Sequence, residues 1–262
     1  MRVILYGCGD FSYVIEYLQE ALKALQLPAF APFDPHDSTS HVPVDVMATE
    51  LRTLDQLRRQ YGTRVEANIA ALVQSGVNVE LGVNAVGHPS YGPFDLVIFR
   101  NPHTGNYGNS QDPSMSSYVE SIGANNGLFQ GVLAQTNHTR VPFGLVLITV
   151  VGWPYLGKNP KSQLGFKGLQ LENPQYAKEY GEVAGLEFLK YLNFGPQWVA
   201  RNTGNTFVAD EVGLLYRDAT HWRDIRELEH TMRAYDPDRV PGWCKLHPNY
   251  EQMRQKLAKE RS

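Results

Sequence analysis

At 262 residues the chain is long enough for one α/β domain with a lid or tail and a large core. Its 24 basic and 27 acidic side chains leave a formal net charge of −3, which argues against a global basic footprint for nucleic acid. Two cysteines, Cys8 and Cys244, argue against a disulfide framework, and no segment has the unbroken apolar length of a membrane span, so a cytoplasmic setting without a membrane partner is expected.

The chain opens on an apolar run, Val3-Ile4-Leu5-Tyr6, too early to leave room for a secretory signal. It meets the turn Gly7-Cys8-Gly9-Asp10-Phe11-Ser12-Tyr13, and a helical pattern follows at Val14, Ile15, Tyr17, Leu18, Leu22 and Leu25. These are the first strand, tight turn and first helix of a Rossmann-type unit. Glycine in the turn lets a ligand approach the backbone, and the helix N-terminus favours polar or anionic ligand groups. No third glycine stands at the dinucleotide spacing, and Asp10 follows the second glycine directly. An acid there repels a pyrophosphate and suits a cationic ligand, such as the amino group of S-adenosylmethionine (SAM). Tyr6, Gly7, Cys8, Gly9, Asp10, Phe11 and Ser12 form the first candidate cofactor-binding set.

Residues 27–43, rich in Pro, Asp, Ser and His, read as a surface loop before a second strand over 42–49. Helical patterns cover 51–61 and 64–75 and stop at Gly76. A third strand is expected over 77–83, a turn over 89–93 and a buried fourth strand over 94–99. A polar loop over 101–114 precedes a helix near 117–135 and a fifth strand over 143–151. A Gly/Pro/Lys-rich loop fills 152–175, a helix is expected near 176–192, and strands at 196–201 and 206–216. The alternation through residue 151 implies an α/β fold with a mostly parallel central sheet and helices on both faces. Residues 218–262, charged and helical, read as a C-terminal appendage to a catalytic domain spanning 1–217.

In open α/β sheets ligands sit beyond the carboxyl ends of the strands. After strand two, Glu50 is placed to accept hydrogen bonds from a ribose, or to serve as an acid at a helix N-terminus. After strand three, Asn84-Ala85 offers a polar partner for an adenine amino group, or a turn. After strand four, Arg100-Asn101-Pro102-His103 places four polar or turn residues directly behind a buried strand, which packing alone does not explain. The Asn101 amide oxygen and the carbonyls beside Pro102 suit an amine whose lone pair must be aimed. His103, with an unperturbed pKa near ~6.5, suits a base or a loop-stabilising role. The other histidines lie scattered without metal-ligand spacing, so no metal is expected.

With these residues assembled, the chain resembles the Rossmann-like rRNA uridine-N3 methyltransferases. The likeness rests on Gly7-Cys8-Gly9-Asp10-Phe11-Ser12-Tyr13, Ala48-Thr49, Glu66-Ala67-Asn68-Ile69 and the run from Phe94 to Gly105. Asn126-Gly127-Leu128-Phe129 and Gly152-Trp153-Pro154-Tyr155 belong to it as well, and it covers about residues 1–195. It implies the class I SAM-dependent methyltransferase fold and SAM as cosubstrate. Three departures stand out. The family's acid after strand two falls at Arg52, its strand-three aspartate at Asn84, and its Asn-Phe-Pro-His at Arg100-Asn101-Pro102-His103.

The chain is also similar to azetidine-2-carboxylate synthases of nonribosomal peptide pathways, an offshoot that cyclises SAM itself. There the α-amine attacks Cγ and methylthioadenosine leaves. That resemblance implies a bent aminobutyryl chain, an uncharged amine held at Asn101 and Pro102, and aromatic walls that exclude water and face the sulfonium. Tyr6, Phe11, Tyr13, Trp153, Tyr155, Tyr176 and Tyr180 are the candidates, with Tyr176 placed in the catalytic set. The acidic balance and the altered strand-four motif favour this cyclisation, with a small-molecule substrate and little affinity for RNA. The alternatives are an N-methyltransferase acting on a small-molecule amine or on rRNA uridine N3, and a SAM sensor.

Overall fold

The computed structural model describes residues 1–27, 44–87, 92–100, 102, 115–151, 174–200, 206–218, 225–235, 240, 244, 247 and 249–261. The expected loops over 27–43, 101–114 and 152–175 fall almost wholly outside these residues. Five strands run parallel: β1 (Arg2–Tyr6), β2 (Asp45–Glu50), β3 (Val77–Leu81), β4 (Phe94–Arg100) and β5 (Arg140–Val151). β6 (Leu186–Ala200) and β7 (Thr206–Asp218) are antiparallel to each other, and β7 is antiparallel to β5. The order in the 7-stranded sheet is β3-β2-β1-β4-β5-β7-β6.

The central strands are buried on both faces, and their period of two sorts one sequence into two cores. Val3, Leu5, Leu96, Ile98, Leu145 and Leu147 point to one face, where α1 (Val14–Ala24) lays down Val14, Tyr17, Leu18, Ala21 and Leu22 at helical spacing. α2 (Leu54–Tyr61) and α3 (Arg64–Gln74) add Leu57, Val65 and Leu72 to the same core. Ile4, Tyr6, Val97, Phe99, Val146 and Ile148 point the other way, beneath Phe129, Val132 and Leu133 of α4 (Met115–Thr139) and Ala177 of α5 (Pro174–Val183). Thr53 and Gln56 form a reciprocal capping box that starts α2, and Gly62, at φ 74°, ends it.

One expected element is wrong in kind. The helix near 176–192 stops at Val183, Gly185 takes φ 71°, and residues from Leu186 onward are strand β6. The stretch Leu186-Glu187-Phe188-Leu189-Lys190-Tyr191-Leu192 satisfies both a helical and a strand period. Pairing with β7, through irregularities at Phe188/Lys190 and Asn193/Gly195, decides for the strand. The strands expected at 196–201 and 206–216 are parts of these longer β6 and β7.

Past Asp218, α6 (Ile225–Ala234) and α7 (Tyr250–Arg261) close a small cluster of their own with Leu228, Met232, Val240, Cys244, Met253 and Leu257. Its rim carries ion pairs from Arg233 to Glu260 at 2.6 Å and from Lys256 to Glu229 at 3.0 Å. Among the described residues no helix is long and apolar enough to cross a membrane.

Candidate active site at the carboxyl edge of the sheet

The β1–α1 turn is built from left-handed backbone. Gly7 has φ 72°, Gly9 φ 62° and, unusually for a bulky residue, Phe11 φ 63°. The buried ring of Phe11 in the α1-side core holds that strained residue. A Cβ at Gly7 would lie 2.8 Å from Phe99 Cε2 and 3.2 Å from the Arg100 carbonyl oxygen, so the turn presses directly on the end of β4. The turn is tied to β2 as well. The Cys8 N–H donates to the Thr49 carbonyl at 3.1 Å, and the Thr49 hydroxyl donates to the Leu5 carbonyl at 2.9 Å. Tyr13, the N-cap residue of α1, makes no side-chain capping hydrogen bond there.

Asp10 is buried, and its Oδ1 accepts from the Ser12 N–H at 3.2 Å and the Ser12 hydroxyl at 2.6 Å. Its Oδ2 lies 3.3 Å from Arg64 Nη2. Asn68, from α3, donates to the Asp10 carbonyl at 2.8 Å. Glu50 is buried too. Its Oε2 accepts from the Gly9 N–H at 2.8 Å, and its Oε1 accepts from Arg52 Nε at 2.8 Å. Arg52 also donates to Gln60 and, at 3.3 Å, to the Tyr61 hydroxyl, and it stands over the Tyr61 ring. Glu50 therefore fixes the glycine turn from below, whatever it offers a ribose.

At the end of β3, Asn84 is exposed and its Oδ1 accepts from the Val86 N–H at 3.0 Å, while Ala85 packs on the α4-side core. Leu51, directly after β2, is 61 % exposed.

At the end of β4 the Arg100 guanidinium grips Glu211, the residue of β7 that pairs with Val151 of β5. Arg100 Nε lies 3.1 Å and Nη2 2.9 Å from Glu211 Oε2. The guanidinium sits 4.4 Å over the Tyr17 ring, the Tyr17 hydroxyl donates to Thr149 at 3.0 Å, and the Thr149 hydroxyl donates to Glu211. Burial opposes the charge of Arg100, but the Glu211 carboxylate outweighs it and holds the pKa above the ordinary arginine value. Burial, helped by Glu211, raises the Tyr17 phenol. The Cys8 thiol is pushed up to about 12, first by burial and then by the charge of Glu50.

Of the expected site residues, Gly7, Cys8, Gly9, Asp10, Phe11, Ser12, Glu50 and Arg100 come together at this edge, with Pro102 buried beyond it. Asn101 and His103 lie outside the described residues, as do Trp153 and Tyr155. Tyr6 is buried against Phe99, and Tyr180 packs edge-on against Phe129, so both serve the core. Tyr176 stands on α5, 36 % exposed. The sequence did not single out Arg64, Tyr17, Thr149 or Glu211. Glu211 carried one signal: it is an acid heading the apolar run Val212-Gly213-Leu214-Leu215-Tyr216.

A family model, BMT5-like, described as rRNA (uridine-N3-)-methyltransferase BTM5-like, matches residues 4–173. None of the curated proteins matches the chain. Among solved structures, the 16S rRNA (adenine(1408)-N(1))-methyltransferase of Catenulisporales acidiphilia is 12 % identical. The match covers 85 % of this chain and 87 % of that one at a TM-score of 0.45. A SAM-dependent methyltransferase of Aquifex aeolicus is 12 % identical, with 83 % and 81 % covered and a TM-score of 0.43. One from Methanosarcina mazei is 9 % identical, with 83 % and 92 % covered and a TM-score of 0.42. The family's description names rRNA, so the expectation of no nucleic-acid partner finds no support there. Methyl transfer is backed better than cyclisation.

Proposed function

We propose a function from one premise: this chain belongs to the BMT5-like rRNA (uridine-N3-)-methyltransferase family. It is an enzyme of the class I SAM-dependent methyltransferase fold, with SAM as methyl donor. The finer reading is an N-methyltransferase whose acceptor is a ring or amine nitrogen, in RNA or in a small molecule. The observation that carries it is the contact between the glycine turn and the end of β4, where the Gly7 cradle and the Arg100 carbonyl meet with no room for a Cβ. That packing sets the glycine turn directly beside the end of β4, which Asn101-Pro102-His103 follow in sequence.

Bound SAM supplies an electrophilic methyl carbon: the acceptor nitrogen's lone pair attacks it, the carbon–sulfur bond breaks, and the nitrogen loses its proton. The chain must aim that lone pair and accept that proton. Asn101 and the carbonyls beside Pro102 suit the first task, because they accept N–H bonds without taking a proton permanently. His103 suits the second. Orientation of this kind supplies several kcal/mol of a barrier.

Cyclisation of SAM to azetidine-2-carboxylate is the second reading. The observation that favours it is Arg100: where the related family has asparagine at the end of β4, this chain has an arginine whose charge is bound to Glu211. One experiment separates the two. The enzyme is incubated with SAM alone, with a uridine-containing rRNA fragment, and with a panel of small amines, and products are identified by mass spectrometry. S-adenosylhomocysteine formed only with an acceptor supports methyl transfer. Methylthioadenosine and a four-carbon cyclic amino acid from SAM alone overturn it in favour of cyclisation.

A further inference from the structure

We propose that Asn126 on α4 holds the exocyclic amine of the adenine ring of SAM, its side-chain Oδ1 accepting one of that amine's N–H bonds. The proposal rests on SAM being the cosubstrate and gives the adenine of that ligand a partner.

The first observation is an orphaned atom. Asn126 Oδ1 is buried and, among the described residues, has no hydrogen-bond partner. Buried polar atoms are nearly always paired, and leaving one unpaired costs stability. Asparagine also favours caps and turns over helix interiors, yet Asn126 stands inside α4. The fold alone therefore disfavours this residue at this position.

The second observation is its place. α4 runs back along β4 and β5, and its last residue, Thr139, lies at the start of β4. A Cβ at Gly92 would stand 2.9 Å from the Thr139 carbonyl oxygen, and Phe94 pairs with Arg140. From Thr139 back to Asn126 the helix climbs about 20 Å. From Phe94 to Arg100 the strand also climbs about 20 Å. Asn126 therefore sits at the level where β4 ends, on the carboxyl edge that carries the glycine turn. At helical spacing it shares a face with Phe129, which is buried in one core with Tyr6, Val83 and Phe99.

The third observation is chemical. Ala85 and Val86, after β3, pack on that same core, and a Cβ at Gly131 of α4 would lie 2.8 Å from Val86 Cγ1. The segment after β3 and α4 thus meet on one face of the sheet. The amide of that segment, Asn84, is exposed, and its Oδ1 already accepts from the Val86 N–H. Among the described buried side chains of α4, the acceptor still without a donor is Asn126 Oδ1. A single neutral oxygen beside an apolar core suits a neutral N–H on a flat apolar ring. The ammonium of the aminobutyryl chain carries a full charge and needs more than one oxygen to leave water.

The test is calorimetric binding of S-adenosylhomocysteine and S-inosylhomocysteine, in which a carbonyl replaces the adenine amine. Wild type should bind the adenosyl compound at least about tenfold more tightly, as a site that hydrogen-bonds an N–H rejects an analogue lacking it. Asn126→Leu has the same branching without the polar atoms. It should narrow the preference to within about twofold, while its ligand-free melting point holds or rises because the orphaned acceptor is gone. Asn126→Ala should narrow the preference likewise, and it serves where leucine does not fit. A tenfold preference that survives in either variant overturns the proposal, and so does a wild type that binds the two compounds alike. A lower melting point with equal loss of both compounds overturns it too, because it marks a structural role. Failure of wild type to bind S-adenosylhomocysteine overturns the SAM reading beneath it.

Discussion

Gly7→Ala should be the most damaging single methyl group that can be added to this chain's ligand turn. At φ 72° an L side chain costs about 1–2 kcal/mol of backbone strain. The new Cβ would also stand 2.8 Å from Phe99 Cε2 and 3.2 Å from the Arg100 carbonyl. Phe99 is buried in the α4-side core and the carbonyl belongs to the end of β4, so neither gives way freely. Overpacking of this kind adds about 1–3 kcal/mol. The total, about 2–5 kcal/mol, corresponds to a melting point lower by ~5–15 °C for a chain of this size. Gly82→Ala is the control. Gly82 has φ 75° but, among the described residues, nothing within 4 Å of its ideal Cβ, so only the strain of about 1–2 kcal/mol applies. Thermal and urea unfolding of both variants, with calorimetric titration of SAM, reads the difference. If Gly7→Ala is no less stable than Gly82→Ala and binds SAM as wild type does, the close approach of turn and strand has no energetic reality and the cradle argument fails.

Asp10→Ala should weaken SAM binding more than tenfold, about 1.4 kcal/mol, because it frees Ser12 and Arg64 from the turn; unchanged affinity in calorimetry removes Asp10 from the site. Asn101→Ala should cut turnover by ~10²-fold with a smaller effect on SAM affinity, and near wild-type turnover would end its role in holding the nucleophile. Cys8 should resist iodoacetamide between pH 7 and pH 9, because a thiol raised to about 12 stays protonated there; mass-spectrometric detection of rapid labelling at pH 8 would refute that raised value. The same raised value makes folded Cys8 hold its proton after the unfolded thiol has lost it. Its contribution to stability is therefore present below about pH 9 and is lost as the pH climbs toward 12, a slope that Cys8→Ala should flatten in alkaline unfolding curves.

Sequence period alone sorts the sheet. The alternation of Val3/Leu5 against Ile4/Tyr6, and of Leu96/Ile98 against Val97/Phe99, assigns residues to two cores before any pairing is known. The Gly-x-Gly turn is equally legible, because glycine adopts the positive φ there without strain and leaves room for the contact Gly7 makes. Where both periods fit, as over Leu186–Leu192, the chain itself is silent and partnership with β7 decides. The charge pattern of the site is least legible. Arg100 and Glu211 are 111 positions apart, and they meet because β7 slots in beside β5 in the sheet order. No local spacing encodes that.

That long-range pairing changes what Asp10 alone implies. An acid behind a glycine turn reads as a receptor for a cation, and by itself it would be one. In the fold, Asp10, Glu50 and Glu211 are each buried, with side chains 3 %, 3 % and 0 % exposed, while their partners Arg64, Arg52 and Arg100 are 45 %, 29 % and 15 % exposed. Each carboxylate is turned inward and each guanidinium outward. Formal charge cancels within every pair, but the positive end of each pair is the one nearer solvent. The arginine ends of these pairs are therefore the parts nearer to anything that approaches this edge. Asp10, enclosed in this way, is no longer the exposed receptor for a cation that its place behind the glycine turn suggests.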